Sequence, residues 1–295
     1  FDEVFESQDE PFPGIPTISK HILIKKNYNK NFKVILEAQG GDDIAAGYKY
    51  VFPFYIKSLI KKFKYVKAFN EIIKFTSIEK IKLIHFSKFY KNCIQNLQNG
   101  SLSADGTSSF NKEIFKDPNL VNEIDIYKKI FIKLNSIDNP LKKILYRDLF
   151  HCKLPRILRS CDRASMAHGI ELRVPLLDHN IVEFFFNLNE DLLIKNGNMR
   201  FFYRKYLDKF YPEIGYKNIY TKKKYVSDPQ VSWLKNELYE WTLDRISSKF
   251  LKKSNLYNQD KLIEYFKEFK TNRNIKNSNV FWQAICLEKL SRNIN

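Results

Sequence analysis

Apolar residues return at three- and four-residue spacing along most of the chain, the period of a helix with one buried face. Ile18, His21-Ile22 and Ile24 predict a helix from Thr17 to about Lys26. Phe54, Leu59-Ile60, Phe63, Val66, Phe69 and Ile72-Ile73 carry the same period through Tyr48 to Leu97, interrupted by Pro53 and a Thr76-Ser77 cap. Further helices are expected over 120–134 and 140–151. In the tail, Val231, Leu234, Leu238 and Trp241, then Leu262, Tyr265-Phe266 and Phe269, then Phe281 and Ala284-Ile285 read as helical core rather than as a cofactor box. Asn99 to Ser109 has the composition of a flexible loop. Residues 1–16, acidic and rich in proline around Asp9-Glu10-Pro11-Phe12-Pro13, predict an extended segment that proline keeps out of helix.

One stretch departs from the helical period. Val34-Ile35-Leu36 is a short β-branched run that ends in Gln39-Gly40-Gly41-Asp42-Asp43, followed by the helix-compatible Ile44-Ala45-Ala46. A buried parallel strand delivers polar groups to its carboxyl end in this way, and open α/β sheets bind ligands there. Gly40 and Gly41 allow a tight turn and close approach of the backbone. Carboxylates beside exposed amides suit a Mg²⁺ bridging phosphate oxygens. By itself the pattern is weak, because any strand–turn–helix junction favours Gly and Asp. The order helix, loop, strand, loop, helix is half of a parallel α/β unit, so companion strands are expected upstream.

With 295 residues and 44% apolar content, the chain can bury a sizeable core, which excludes intrinsic disorder. No run approaches the roughly 18 apolar residues of a membrane span, and no secretory leader is visible. The four cysteines, Cys93, Cys152, Cys161 and Cys286, form no CxxC pair. That argues against a zinc ribbon or disulfide framework and for a reducing, cytoplasmic setting. The formal charge of +17 raises nucleic acid as a partner. However, lysine far outnumbers arginine and alternates with apolar residues on predicted helices, as solvated faces do. The charge is therefore read mainly as surface, with a local phosphate-handling site still open.

A second stretch, Leu154 to His179, is richer in signals. Pro155 stands where a helix can start, Gly169 where it can stop, and Asp178 is a good N-cap for Ile181-Val182-Glu183-Phe184-Phe185-Phe186. Glu171 and Arg173 point the same way on an extended segment and can pair. From spacing alone this is a helix–loop–helix framed by caps and an ion pair.

The residues carry a further reading. Leu154-Pro155-Arg156-x-Leu158-Arg159, then Asp162-Arg163-x-Ser165-Met166, then Glu171-x-Arg173-Val174-Pro175-x-Leu177-Asp178-His179 closely resembles the synthetase domain of glutamine-dependent asparagine synthetases. Gln39 to Tyr48 is similar to that family's Gly-x-Gly-x-Asp-Glu-x-x-x-Gly-Tyr element, and Asp9-Glu10-Pro11-Phe12 to the segment preceding it. Gly197 to Arg204 with Tyr211-Pro212-Glu213-Ile214 resembles its lysine/arginine-bearing helix, Arg200 standing where lysine is common. Lys222-Lys223-Lys224-Tyr225, Pro229 and Trp233-Leu234 resemble its Lys-Lys-Gly-Phe block.

The resemblance implies an α/β fold: a doubly wound parallel sheet of the adenine-nucleotide alpha-hydrolase type, only partly contained in this chain, with a predominantly helical C-terminal part. Residues 1–245 would be the C-terminal part of the synthetase domain, and 246–295 a helical tail packed on it. It also implies an ATP- and Mg²⁺-dependent ligase that adenylates the side-chain carboxylate of aspartate, releases pyrophosphate and lets ammonia from an upstream glutaminase domain displace AMP. Asp42 would be the metal ligand, with Gly40, Gly41 and Asp43 shaping the cofactor site. Lys222, or alternatively Lys223, would stabilise the departing pyrophosphate, while Glu171, Arg173 and Asp178 would be mainly architectural. The family's Ser-Gly-Gly-x-Asp-Ser loop and glutaminase cysteine do not occur in these residues. The chain is therefore expected to be the C-terminal portion of a longer protein and inactive as it stands. Gln39 replaces a glutamate thought to deprotonate the incoming amine, which an amide cannot do. Asp43 stands for the usual glutamate. Amide transfer to another carboxylate, such as a cell-surface sugar or peptide, and an inactive remnant serving as an interaction module are the alternatives. A homodimer is compatible with either; a membrane partner is not expected, and nucleic acid is disfavoured.

Overall fold

The computed structural model describes residues 1–27, 33–98, 112–117, 134–214, 228–272, 275 and 277–293. The expected loop over 99–109, all but the last residue of the expected helix over 120–134, and the Lys222–Tyr225 block fall outside them.

The extended segment expected at the N-terminus begins instead as a helix, Asp2–Gln8 (α1). The prolines come only after it, and tertiary burial of Val4 and Phe5 holds it in place, Phe5 stacking on Trp282 with ring centroids 5.9 Å apart. The next helix, Ile15–Asn27 (α2), accommodates Pro16 in its first turn, where no amide donor is needed. Its leading amide, that of Ile15, donates to Gln230 Oε1 at 3.0 Å.

Val34–Leu36 forms a strand (β1), and Gly41–Ile44 a single helical turn (α3). Then come Phe52–Lys61 (α4), Tyr65–Glu79 (α5) and Leu83–Gln98 (α6), in the aromatic, lysine-rich region where helices were expected. Pro140–Arg147 (α7) is capped by Asn139, whose side chain accepts from the Lys142 amide at 3.0 Å. It passes into a wider π-type turn over Asp148–Cys152 rather than continuing as regular helix. Leu154–Met166 (α8) starts at Pro155 as expected, and Gly169 turns the chain at φ +62°. Strand β2, Glu171–Arg173, then pairs parallel with β1, Val34 opposite Glu171 and Leu36 opposite Arg173. His179–Asn187 (α9) is capped by Asp178, which accepts from the Asn180 amide at 2.9 Å.

Among the described residues the parallel sheet is this one pair, so the structure is mostly helical with a small parallel element rather than a complete doubly wound sheet. β1 is also not the buried strand its composition predicts: Leu36 is 69% exposed. Among the described residues β1 pairs with β2 alone, and Val34 and Leu36 keep their apolar side chains exposed.

Glu190–Leu193 (α10) leads into the hairpin Ile194–Lys195 (β3) and Asn198–Met199 (β4), then Phe201–Phe210 (α11). The remaining α-helices among the described residues are Gln230–Lys235 (α12), Tyr239–Ile246 (α13), Lys249–Lys253 (α14), Gln259–Thr271 (α15) and Asn279–Asn293 (α16). None of the described helices is long and apolar enough to cross a membrane.

The described residues form two apolar cores. One joins α3 to α7 with α9 and the hairpin, centred on Phe52 stacked on Phe75 at 3.8 Å between centroids. The other combines Val4, Phe5, Phe12, Ile15 and Ile18 with Leu234, Leu262, Phe266, Phe269, Phe281 and Trp282. The helical period of the tail thus marks core, as expected, and each of those buried aromatics contributes about 2–3 kcal/mol by leaving water. Helix α8 runs beside α1 and α2. Gln8 donates to the Ser160 carbonyl at 3.2 Å, Asp9 pairs with Arg163 at 2.7 Å, and Glu10 pairs with Arg159. The Asp9-Glu10 segment and the arginines of the 154–166 motif, far apart in sequence, therefore meet.

Candidate active site

The turn after β1 is shaped by what presses on it. Gly40 has φ +86°, and a Cβ there would lie 2.1 Å from Leu177 Cδ2; at Gly41 it would lie 2.9 Å from Leu176 Cδ1. Both leucines belong to the Pro175–Leu177 turn that follows β2. The two motifs singled out in the sequence thus make one structure, the second roofing the glycine turn of the first. Gly47 closes it from the other side, its amide donating to the Asp42 carbonyl at 2.7 Å. A Cβ on Gly47 would strike Asp42 Oδ1 at 2.0 Å.

Asp42 stands at the carboxyl end of the parallel strand, in the first turn of α3, with 24% of its side chain exposed. Arg200 Nη1 lies 3.3 Å from its Oδ1. Arg200 itself adopts φ 55°, a costly conformation for a non-glycine residue, at the N-terminus of α11. Tyr203, one turn on, has a buried hydroxyl pushed up to about 12, first by burial and then by the Asp42 charge.

Asp43 points the other way. It is 2% exposed, and neither carboxylate oxygen meets hydrogen-bond geometry with a described neighbour. Burial is the main cause that raises its pKa from 3.8 to about 6; Lys153 opposes the rise, and Asp148 and Asp42 add to it. Around it lies a cluster that sequence periodicity gave no sign of. The Tyr50 hydroxyl donates to Asp148 Oδ2 at 2.8 Å, and Arg147 pairs with Asp148 Oδ1 at 2.9 Å. Lys153 donates to the Tyr50 oxygen at 3.2 Å and sits 3.0 Å from the centroid of the Tyr48 ring. Burial chiefly, reinforced by Asp43, keeps the Tyr48 phenol protonated. Asp148 opens the π-type turn and Lys153 follows it, immediately before Leu154-Pro155, and that adjacency was the available clue.

The raised pKa fixes the sign of a stability effect. The folded state binds the Asp43 proton more tightly than the unfolded chain, so this group lowers stability as pH rises from about 4 to about 6, by up to about 3 kcal/mol, and the penalty persists above that range. Asp43→Asn is expected to raise the urea midpoint at pH 7.5 and to change it little at pH 4. Equal shifts at both pH values would contradict the assignment.

Of the other expected site residues, Gln39 opens the turn and is half-buried, whereas Lys222 and Lys223 lie outside the described residues. Glu171 and Arg173 do pair, at 3.0 Å, but on the surface. The structure therefore assembles Gln39, Gly40, Gly41, Asp42 and Asp43 with Arg200, Lys153 and Asp148.

The profile of the Asparagine synthase family matches residues 1–290. The chain belongs to this family. Among its relatives, "Asparagine synthetase [glutamine-hydrolyzing] 1" of Bacillus subtilis (strain 168) is 25% identical over 248 residues, covering 79% of this chain and 36% of the relative. "Asparagine synthetase [glutamine-hydrolyzing] 3" of the same organism is 20% identical over 202 residues, covering 68% of this chain and 28% of the relative. The chain thus spans about a third of the length of the curated relatives it matches. No solved structure matches it significantly. For this member of the asparagine synthase family, the Asp42 turn is where the motif and the strand end coincide.

Proposed function

We propose that this chain is the C-terminal part of an ATP-dependent amide-forming ligase. The observation that supports the reading best is the placement of Asp42: partly exposed, at the carboxyl end of a parallel strand, beside Arg200. Mg²⁺ takes one or two protein carboxylates and otherwise water and phosphate oxygens. Asp42 fits that demand and Asp43, sealed inside, does not. When bound, the metal would draw charge onto the departing pyrophosphate. Asp42 would hold it, and Arg200, 3.3 Å away, would add positive charge on the same side. Asp43 would act from behind, as part of the Tyr48, Lys153, Tyr50 and Asp148 cluster that fixes the turn. Lys222, with Lys223 as the alternative, would stabilise the leaving group.

The relatives' name favours aspartate as the acceptor, with ammonia supplied by glutamine hydrolysis elsewhere in a longer protein. Gln39 favours a second reading, transfer to another carboxylate, because an amide at this position cannot take a proton from the amine. The test is pyrophosphate release by the chain joined to its upstream sequence, with ATP, Mg²⁺ and aspartate, compared across sugar and peptide carboxylates. Release that depends on no carboxylate would remove the ligase reading. In the same assay Lys222→Ala is expected to cost at least about 2.7 kcal/mol in barrier, the loss of one preorganised charge-stabilising group; an unchanged rate would reassign that role.

A further inference from the structure

Three potential metal ligands from separate elements converge at a second place, unrelated to the Asp42 turn in chemistry. Glu3 lies on α1, His21 on α2, and His168 in the turn between α8 and β2. The His21 and His168 Nε2 atoms are 3.1 Å apart, and Glu3 Oε1 lies 3.4 Å from the same His21 nitrogen. One oxygen of Glu3 and one nitrogen from each ring all fall within 4.8 Å of one another.

Hydrogen bonding accounts poorly for this arrangement. A neutral imidazole Nε2 carries one proton or one lone pair. If His168 donates to His21, the His21 lone pair also faces a carboxylate oxygen. If His21 donates to Glu3, its proton must be shared with a second acceptor ring. A cation among the three atoms removes the conflict. For a tetrahedral zinc with metal–nitrogen bonds of about 2.0–2.1 Å, ligand atoms are separated by about 3.3 Å. Two of the three observed separations already match that edge.

We propose that Glu3, His21 and His168 form a binding site for a zinc-like divalent cation, a structural clasp that joins α1 and α2 to the turn entering β2. Two imidazoles and one carboxylate are the nitrogen and oxygen donors this ion prefers, and hard cations such as Mg²⁺ would not select them. His21 is 1% exposed, whereas Glu3 is 54% exposed, so its side chain can shift to close the remaining distance and solvent can supply a fourth ligand. Lys25 takes the other carboxylate oxygen of Glu3, Oε2, at 2.5 Å and leaves Oε1 facing the rings. Two features limit the affinity: the Lys25 charge, and a buried His21 Nδ1 with no acceptor to orient the ring. A hydrogen-bond acceptor behind a ligating imidazole is worth about 10–100-fold in metal affinity, so this site binds more weakly than one whose histidines are so supported.

The site stands independently of the ligase reading. Its test is titration of the full chain, stripped with chelator, with Co²⁺ and then Zn²⁺. One equivalent of Co²⁺ is expected, with the visible absorption of a low-coordinate nitrogen and oxygen site, displaced by Zn²⁺, and Zn²⁺ should raise the thermal midpoint. His168→Ala and Glu3→Gln, both at accessible positions, are each expected to weaken binding by at least about ten-fold with unchanged far-ultraviolet dichroism. His179→Ala, on an exposed histidine elsewhere, should leave it unaltered. Absence of stoichiometric binding, or equal binding by the wild type and the Glu3→Gln and His168→Ala proteins, would overturn the proposal.

Discussion

Asp42→Asn, introduced into the chain joined to its upstream sequence, is expected to reduce pyrophosphate release by at least about a thousand-fold while moving the thermal midpoint little. The expected loss combines two effects. Asparagine keeps the shape but offers no charge to a metal that must neutralise a developing pyrophosphate, and groups aimed at such charge carry the largest catalytic terms. It also releases Arg200, which sits in an unfavourable backbone conformation 3.3 Å from the carboxylate. Stability is spared because the side chain is partly exposed and its neighbour Gly47 needs only the same volume beside it. Wild-type turnover in this variant would refute the metal assignment. Turnover lost together with the fold would show Asp42 to be structural.

The second large effect concerns the hairpin that delivers Arg200. Gly197 has φ +72°, and a Cβ there would lie 2.4 Å from the backbone nitrogen of Phe75. The obstacle is main chain, so no side-chain rotation relieves it. Glu71 holds the same turn, accepting from the Asn196 amide at 3.0 Å and the Gly197 amide at 2.6 Å. Gly197→Ala must therefore either displace α5 or break both bonds. A loss of at least about 3 kcal/mol in urea unfolding is expected, from left-handed strain and overpacking together. A loss below about 1 kcal/mol would mean that the hairpin shifts freely and does not fix Arg200.

Sequence reading succeeded where the determinant is local. The Asp178 cap, the helix start at Pro155, the turn at Gly169 and the tail helices each depend on a few neighbouring residues, and each is present. The glycine turn was legible as a turn, but not the reason for its glycines, which lies in Leu176 and Leu177 over a hundred residues away. Asp42 and Asp43 are adjacent and equally acidic, and nothing local separates the exposed carboxylate from the buried one. Asp43 is buried by the fold and faces the charges of Asp148 and Lys153, brought in around a π-type turn that no periodicity signals. The same holds for α1: its sequence borders a proline run and reads as extended until Trp282 supplies the surface it packs on.

That last packing has a consequence for how the chain is made. Phe5 and Phe12 have their aromatic partner at position 282, and the Gln283 side chain donates back to the Phe12 carbonyl at 3.1 Å. During synthesis Phe5 and Phe12 cannot dock on Trp282 until α16 has left the ribosome. The core containing Phe52 and Phe75 can form earlier, from residues already emerged. Between the synthesis of Phe12 and that of Trp282 the chain therefore carries these rings without the surface they dock on, a natural binding site for holding chaperones and a stage open to aggregation.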